Sequence, residues 1–280
     1  MKILQILLFF GLVAVLGGCV SQTNRAYPQP SYPITPTQNS TSSVEAVEPA
    51  AADQADSGSA IEIEPVAPVV ADSPQPVDTQ PVIGQFVDYP VPFSSQAPFG
   101  VWDELHQETC EEASMVMAVR FFKNQELNSH LMEQELLNIF DWETQNGYRV
   151  DLTADEVVVV LDKYFNQSSR IMTDVSVAAV TAELDKGNLV IVPAAGRNLG
   201  NPYFTPPGPI YHMLLIRGYD RSTGEFITND PGTKRGEGYR YQYQTLLSAV
   251  ADWNHALAEG GMEQSEIEQG RKVLISVIKP

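Results

Sequence analysis

Thr109-Cys110-Glu111-Glu112-Ala113-Ser114-Met115-Val116-Met117-Ala118-Val119-Arg120-Phe121-Phe122-Lys123 is the stretch from which the rest of the chain is read. Ala113, Val116, Met117, Val119, Phe121 and Phe122 give a helix over 110–123 an apolar face wide enough to pack inside a domain. That helix opens on a cysteine. A free thiol titrates near about 8.5 and is mostly protonated at neutral pH, so a nucleophilic cysteine needs help. A helix N-terminus supplies some, through unpaired N–H groups and the positive end of the dipole. Glu111 and Glu112, in the same first turn, oppose it with their own charge.

The second of the two cysteines, Cys19, reads differently. Met1 and Lys2 precede an apolar run from Ile3 to Leu16, then Leu16-Gly17-Gly18-Cys19, the form of a bacterial secretion signal. The run is shorter than the roughly 20 apolar residues that span a bilayer. Leu16 to Cys19 resembles the lipobox of bacterial lipoproteins. Residues 1–18 are therefore expected to be a cleaved signal peptide, Cys19 the lipidation site, and the mature chain exported and anchored to the cell envelope, on the outer face of a bacterial membrane.

Residues 19–83 follow as a Pro-rich acidic linker. Ten of the twenty prolines fall here with only two aromatics, Tyr27 and Tyr32, and one arginine stands against eight carboxylates. Such a composition cannot bury enough apolar surface to fold alone. As a flexible tether it would reach roughly 45 Å, and more with proline stiffening. The remaining residues, 84–280, suffice for one domain with a core and an active site. They hold 15 basic and 27 acidic side chains, net −12 within a chain total of −18. This balance argues against nucleic acid as a partner, and against anionic lipid bound through the domain itself. The domain is expected to be monomeric. With one cysteine inside it, no internal disulfide can form, and an unpaired thiol in an exported protein invites a chemical reason.

Helices come first and strands later. A short strand is expected over 87–93, then the helix from Cys110. A second helix is capped by Asn128 or Ser129 and ends near Phe140; a third is opened by the Thr153–Glu156 capping box and runs to Phe165; a fourth lies between Ser176 and Gly187. Strands are expected over 189–193, 211–219, 225–229 and 272–279, with a helix over about 244–258. The fold class is α+β, with a helical half followed by an antiparallel sheet.

A cysteine nucleophile requires a base. Among the four histidines, His212 stands at the start of a strand after the loop Pro206-Pro207-Gly208-Pro209, held by the scaffold and open to a substrate. His106, His130 and His255 rank below it. Asp230, at the end of the partner strand, would fix the imidazole tautomer and steady the imidazolium, with Asn229 as the fallback. Strand parity tests the pair. With Asp220 opposite Glu225, Asp230 falls opposite Leu215 and faces away from His212; an odd turn or a bulge brings it onto the same face. For an oxyanion site beside the Cys110 N–H, Gln96 and Gln107 are the candidate amides, with Gln96 preferred for its place in a loop after a strand. Gly232, Gly236 and Gly238, among Lys234 and Arg235, lack the spacing of a phosphate loop and read as a mobile loop near the site. Cys110, His212 and Asp230 are also zinc-ligand types, but no close ligand pair supports a metal, and no cofactor is expected.

The run Val91-Pro92-Phe93-Ser94-Ser95-Gln96 to Trp102, with Cys110-Glu111-Glu112-Ala113-Ser114, resembles the nucleophile region of the bacterial cysteine-peptidase-like domains of family thirty-nine. These are relatives of the double-glycine leader peptidases, with a papain-like fold. Asn201-Pro202-Tyr203-Phe204, Pro207-Gly208-Pro209-Ile210-Tyr211-His212, Gly218-Tyr219 and Asn229-Asp230-Pro231-Gly232-Thr233 extend the resemblance over most of 85–280. It implies Cys110 as nucleophile, His212 as base and then acid, Asp230 as orienter and Gln96 as oxyanion donor. Trp102, Tyr203 and Tyr211 are expected to contact a peptide or protein substrate. Leader peptidases carry Asp-Cys-Gly where this chain has Thr109-Cys110-Glu111, so cleavage after a double glycine is not implied. Two alternatives stand beside this reading: a Cys-His amidase acting on cell-wall peptides, which would use the same three residues, and a catalytically silent, lipid-anchored binding module, to which the tether and the aromatic loop around Tyr203 and Phe204 are suited.

Overall fold

Every residue of Leu189–Ala195 is buried, and so are the first six of Tyr211–Asp220. Strands of that kind are covered on both faces. The computed structural model describes residues 84–280; the signal segment, Cys19 and the linker 19–83 lie outside the described residues. The elements are β1 (Phe86–Asp88), α1 (Cys110–Phe122), α2 (Ser129–Gln145), α3 (Ala154–Lys163), β2 (Ser169–Met172), α4 (Val177–Asp185), β3 (Leu189–Ala195), β4 (Tyr211–Asp220), β5 (Glu225–Asn229), β6 (Tyr239–Gln242), α5 (Tyr243–Ala249), α6 (His255–Ala258), α7 (Gln264–Ile267) and β7 (Leu274–Val277).

The strands form one seven-stranded antiparallel sheet in the order β2-β7-β3-β4-β5-β6, with β1 pairing β4. Alternation divides the core in two. Leu189, Ile191, Met213, Leu215, Ile275 and Val277 pack with α1, α2 and α3, whereas Val190, Val192, Leu214, Ile216 and Leu274 pack with α4 and α5. This is the expected α+β, papain-like arrangement, with α1 laid on one face.

The helix ends follow their sequence signals. Asn128 accepts from the Leu131 N–H, Thr153 and Glu156 form the reciprocal capping box, and Ser176 accepts from Ala179 N–H. Gly187 follows α4 with φ +86°. Other boundaries differ. Helix α2 continues past Phe140 to Gln145, and β1 stops at Asp88: the Tyr89 N–H still bonds Arg217 O, but the Val91 N–H then turns back onto Tyr89 O. The helix expected over 244–258 is broken into α5 and α6. Val250 leaves helical geometry to bridge Ala194, and the Ala251 N–H donates to Pro193 O, so a sheet contact replaces the helical turn.

The β4–β5 hairpin decides where Asp230 points. Its register begins Asp220↔Glu225, Tyr219↔Phe226 and Gly218↔Ile227, the even-turn pairing. It then slips: Ile216 pairs Thr228 and Leu215 pairs Asn229, leaving Arg217 as an extra residue in β4. The bulge moves Asp230 from opposite Leu215 to opposite Leu214, one diagonal step from His212 on its own face. Arg217 is held there by Asp88, at 2.9 and 3.2 Å, and its Nη1 reaches Asn229 Oδ1 at 3.3 Å. Beside it, a Cβ on Gly218 would lie 2.2 Å from Val87 O, so β1 can approach only a glycine.

Candidate active site

His212 and Asp230 meet as that register requires, with Nε2 donating to Asp230 Oδ1 at 2.8 Å. Asp230 is fully buried and carries three further donors: Gly232 N–H to Oδ1 at 3.0 Å, and Asn201 Nδ2 and the Tyr241 hydroxyl to Oδ2 at 3.0 and 2.6 Å. Burial alone would raise its pKa. The His212 ring outweighs that together with Tyr241 and Gly232, and the carboxyl sits below its ordinary range. An ionised Asp230 accepts only, which makes Nε2 the protonated nitrogen and turns Nδ1 into the free position of the neutral ring. Phe204 packs edge-on against the imidazole at 5.2 Å between centroids.

Cys110 comes to the same place from the other side of the sheet. It begins α1, and its sulfur accepts the Met213 N–H at 3.2 Å, the peptide group that follows His212. Thr109 makes no side-chain cap to α1. The thiol hydrogen is directed to Glu111 Oε2 at 3.0 Å and not to His212. The sulfur is buried, and burial is the largest cause pushing its pKa well above the ordinary thiol value, followed by Glu111, Asp151 and Glu112. The expectation that the helix end would favour the thiolate is outweighed here: desolvation and three carboxyls leave a resting thiol.

Cys110, His212, Gln96, Trp102, Tyr203 and Tyr211 line one cavity of about 1120 Å³. The other expected residues are placed as follows. Trp102 and Tyr203 are exposed at its walls, with the Arg235 guanidinium 4.9 Å over the Tyr203 ring. Tyr211 forms wall, but its hydroxyl donates to Leu152 O at 3.0 Å. Gln96 is buried, and its Nε2 donates to the His106 and Gln107 carbonyls at 3.0 and 3.2 Å, leaving Oε1 without a partner. The Gln107 amide donates to Trp102 O. Both Gln96 N–H groups are engaged, so the oxyanion role expected of it requires it to release a carbonyl, whereas the Gln107 amide spends one of its two N–H groups on Trp102 O. Asn229 is no orienter: its amide holds the Val91 and Pro92 carbonyls.

The other histidines are accounted for. His106 is clamped between Asp103 and Glu133 at 2.7 and 2.9 Å, His255 bonds Glu156, and His130 packs on Phe99. The glycine-rich segment, expected as a mobile loop, is fitted to the His–Asp pair. A Cβ on Gly232 would lie 2.8 Å from His212 Cε1, one on Gly236 would lie 1.8 Å from Asp230 O, and the Asp230 N–H donates to Gly236 O. Asn201 and Tyr241, the two donors to Asp230 Oδ2, escaped assignment from sequence. The alternation of Tyr239, Tyr241 and Tyr243 marked a strand face, but nothing local said what that face touches.

The model of the Peptidase_C39 like family matches residues 89–258. The chain belongs to that family. A solved Bacillus anthracis protein, described as a candidate C39-like peptidase, is 13% identical; the alignment covers 70% of this chain and 99% of that one, with a TM-score of 0.44. No curated protein matches. The family match runs from Tyr89 through α1, His212 and Asp230 to α6.

Proposed function

We propose that the chain is a thiol-dependent amide hydrolase, a cysteine peptidase acting on peptide or protein substrates through Cys110, His212 and Asp230. The supporting observation is that one cavity holds a cysteine sulfur against the peptide N–H after His212, while the His212 ring is braced by a buried, ionised Asp230 at 2.8 Å. In this reading the Cys110 proton passes to His212 Nδ1 and the sulfur attacks the scissile carbonyl carbon. The imidazolium then returns the proton to the leaving nitrogen, giving a thioester that water hydrolyses with His212 as base. The Cys110 N–H, and a Gln96 amide freed from one carbonyl, would face the developing oxyanion.

We further infer that the domain works outside the cytoplasm, tethered at Cys19 by the linker 19–83. Incubation with peptide libraries and with purified cell-wall fragments separates a peptidase from a cell-wall amidase. Activity that persists in Cys110→Ala overturns the hydrolase reading and leaves a binding module, and absence of lipid on the Cys19 peptide by mass spectrometry overturns the tether.

A further inference from the structure

The acid that takes the Cys110 thiol hydrogen is built into the site. Glu111 is fully buried; its Oε1 accepts the Leu152 N–H at 3.0 Å and its Oε2 the thiol at 3.0 Å. Leu152 is fixed in turn, since its carbonyl accepts the Tyr211 hydroxyl. The carboxyl is thus held in one orientation, with one oxygen on backbone and the other on sulfur. On its far side the sulfur accepts the Met213 N–H. At rest, then, the thiol keeps its proton and directs it to Glu111.

We propose that Glu111 is a positioning residue that sets the charge state of Cys110: ionised, it holds the sulfur as a thiol; protonated, its O–H donates to the thiolate. This rests on the hydrolase reading for its use, though not for its chemistry. In the ionised state the S–H bond is intact and points at Oε2. When Glu111 takes a proton from solvent, its O–H turns to the sulfur. The S–H bond can then break toward His212 Nδ1, forming imidazolium, and the thiolate is left with two donors, Met213 N–H and Glu111 O–H. Burial, Glu112 and Asp151 all favour the protonated acid. The groups that face this pair are Glu112 on α1, Glu143 on α2, Glu108 and Asp151 on loops, and Tyr211 and His212 on β4, with Asp252 acting on Tyr211. His212 is the one basic side chain among them. Glu111 is thus set to be neutral where a surface glutamate would not be.

Glu111→Gln mimics the protonated state, since its amide oxygen can keep the Leu152 N–H and its NH₂ can donate to sulfur. The test is iodoacetamide alkylation of the full chain across pH, with modification of the Cys110 peptide read by mass spectrometry apart from that of Cys19. Glu111→Gln is expected to lower the Cys110 titration midpoint by at least about one pH unit, which is roughly tenfold faster alkylation below the midpoint. Asp151→Asn, which removes a nearby charge without touching the sulfur, should shift it less. A Glu111→Gln profile superimposed on the wild type, or an equal shift in Asp151→Asn, overturns the proposal. Should Glu111→Gln fail to fold, infrared difference spectra of the wild type decide: alkylation of Cys110 should shift a buried carboxyl band, and no shift overturns it. A wild type that cleaves no peptide, alongside a Glu111→Gln shift, refutes the hydrolase and leaves this inference standing.

Discussion

Gly232→Ala adds one methyl group directly against the His212 ring. Gly232 has no left-handed φ, so the backbone tolerates alanine and the effect is steric. The new Cβ would lie 2.8 Å from His212 Cε1, 3.0 Å from Phe204 Cε1 and 3.2 Å from His212 Nε2. Carbon contacts settle near 3.5–4.0 Å, so the imidazole must retreat by about 0.7 Å or more. It cannot do so freely, because Phe204 closes on its edge and Asp230 anchors Nε2. Overpacking of this kind costs about 1–3 kcal/mol of stability. A displacement approaching 1 Å at a reacting group costs on the order of 10²-fold in rate. The assay is kcat/KM on a cleaved peptide, beside thermal melts and the NMR titration of the His212 ring. If kcat/KM stays within about threefold while the melt falls, the methyl has been absorbed elsewhere, and the argument that Gly232 is required by the His–Asp pair is wrong.

Further outcomes follow from the same contacts. Tyr241→Phe deletes the 2.6 Å hydrogen bond to ionised Asp230 and should cost about 1.5–3 kcal/mol in urea unfolding, with the Asp230 pKa moving up; a loss under about 0.5 kcal/mol would mean that water replaces the hydroxyl. Gly218→Ala sets a methyl against Val87 O at 2.2 Å and should loosen β1, which hydrogen exchange at 86–88 and 217–220 would register. Burial with neighbouring acids raises Glu143, to about 11, and Asp151, to about 7. A carboxyl raised on folding favours the fold below its unfolded value and withdraws that support as pH rises toward its folded one. Stability should therefore decline between about pH 5 and 8, and Glu143→Gln should recover at least about 1 kcal/mol at pH 8 while changing little at pH 5; equal melts at pH 8 would refute this. Glu183, held by Lys186, Ser276, Asn188 and Arg170 and lowered to about 2, acts oppositely: its contribution is present above the unfolded carboxylate value and fades as pH falls toward 2. Glu183→Gln should lose more stability at pH 7 than at pH 3.

The helices and the principal strands were legible because their signals are local. The capping box at Thr153, the caps at Asn128 and Ser176 and the continuous apolar run of β3 depend on residues within a few positions of each other. Cys110 at a helix start, His212 at a strand start and Asp230 at a strand end were legible for the same reason. Long-range choices were not. Arg217 looks like any exposed strand residue, and only its ion pair with Asp88, over 100 positions upstream, makes it a bulge. Parity narrowed the possibilities to an odd turn or a bulge without choosing between them. Glu111 read as a neighbouring charge opposing the helix end, because nothing in Cys110-Glu111-Glu112 says which carboxyl touches the sulfur. The Leu152 N–H fixes that, from the loop before α3.

The Arg217 bulge gives the β4–β5 hairpin the logic of a reading frame. Thr228 and Asn229 are paired beyond the slip, so the phase of Asp230 is set where Arg217 is inserted and by the parity of the turn at 221–224 together. Taking Arg217 into the ladder would be a frameshift: Asp230 would fall opposite Leu215 and turn from His212. Deleting that one residue is its suppressor, since Gly218↔Ile227 and Ile216↔Thr228 then follow one another directly and Asp230 keeps its place opposite Leu214, with neither site residue changed. Even-numbered changes at the turn are silent. The pair that positions the imidazole is thus insulated from the hairpin tip, and the N-terminal strand that holds Arg217 becomes, in effect, the frame-keeper of a site it never touches.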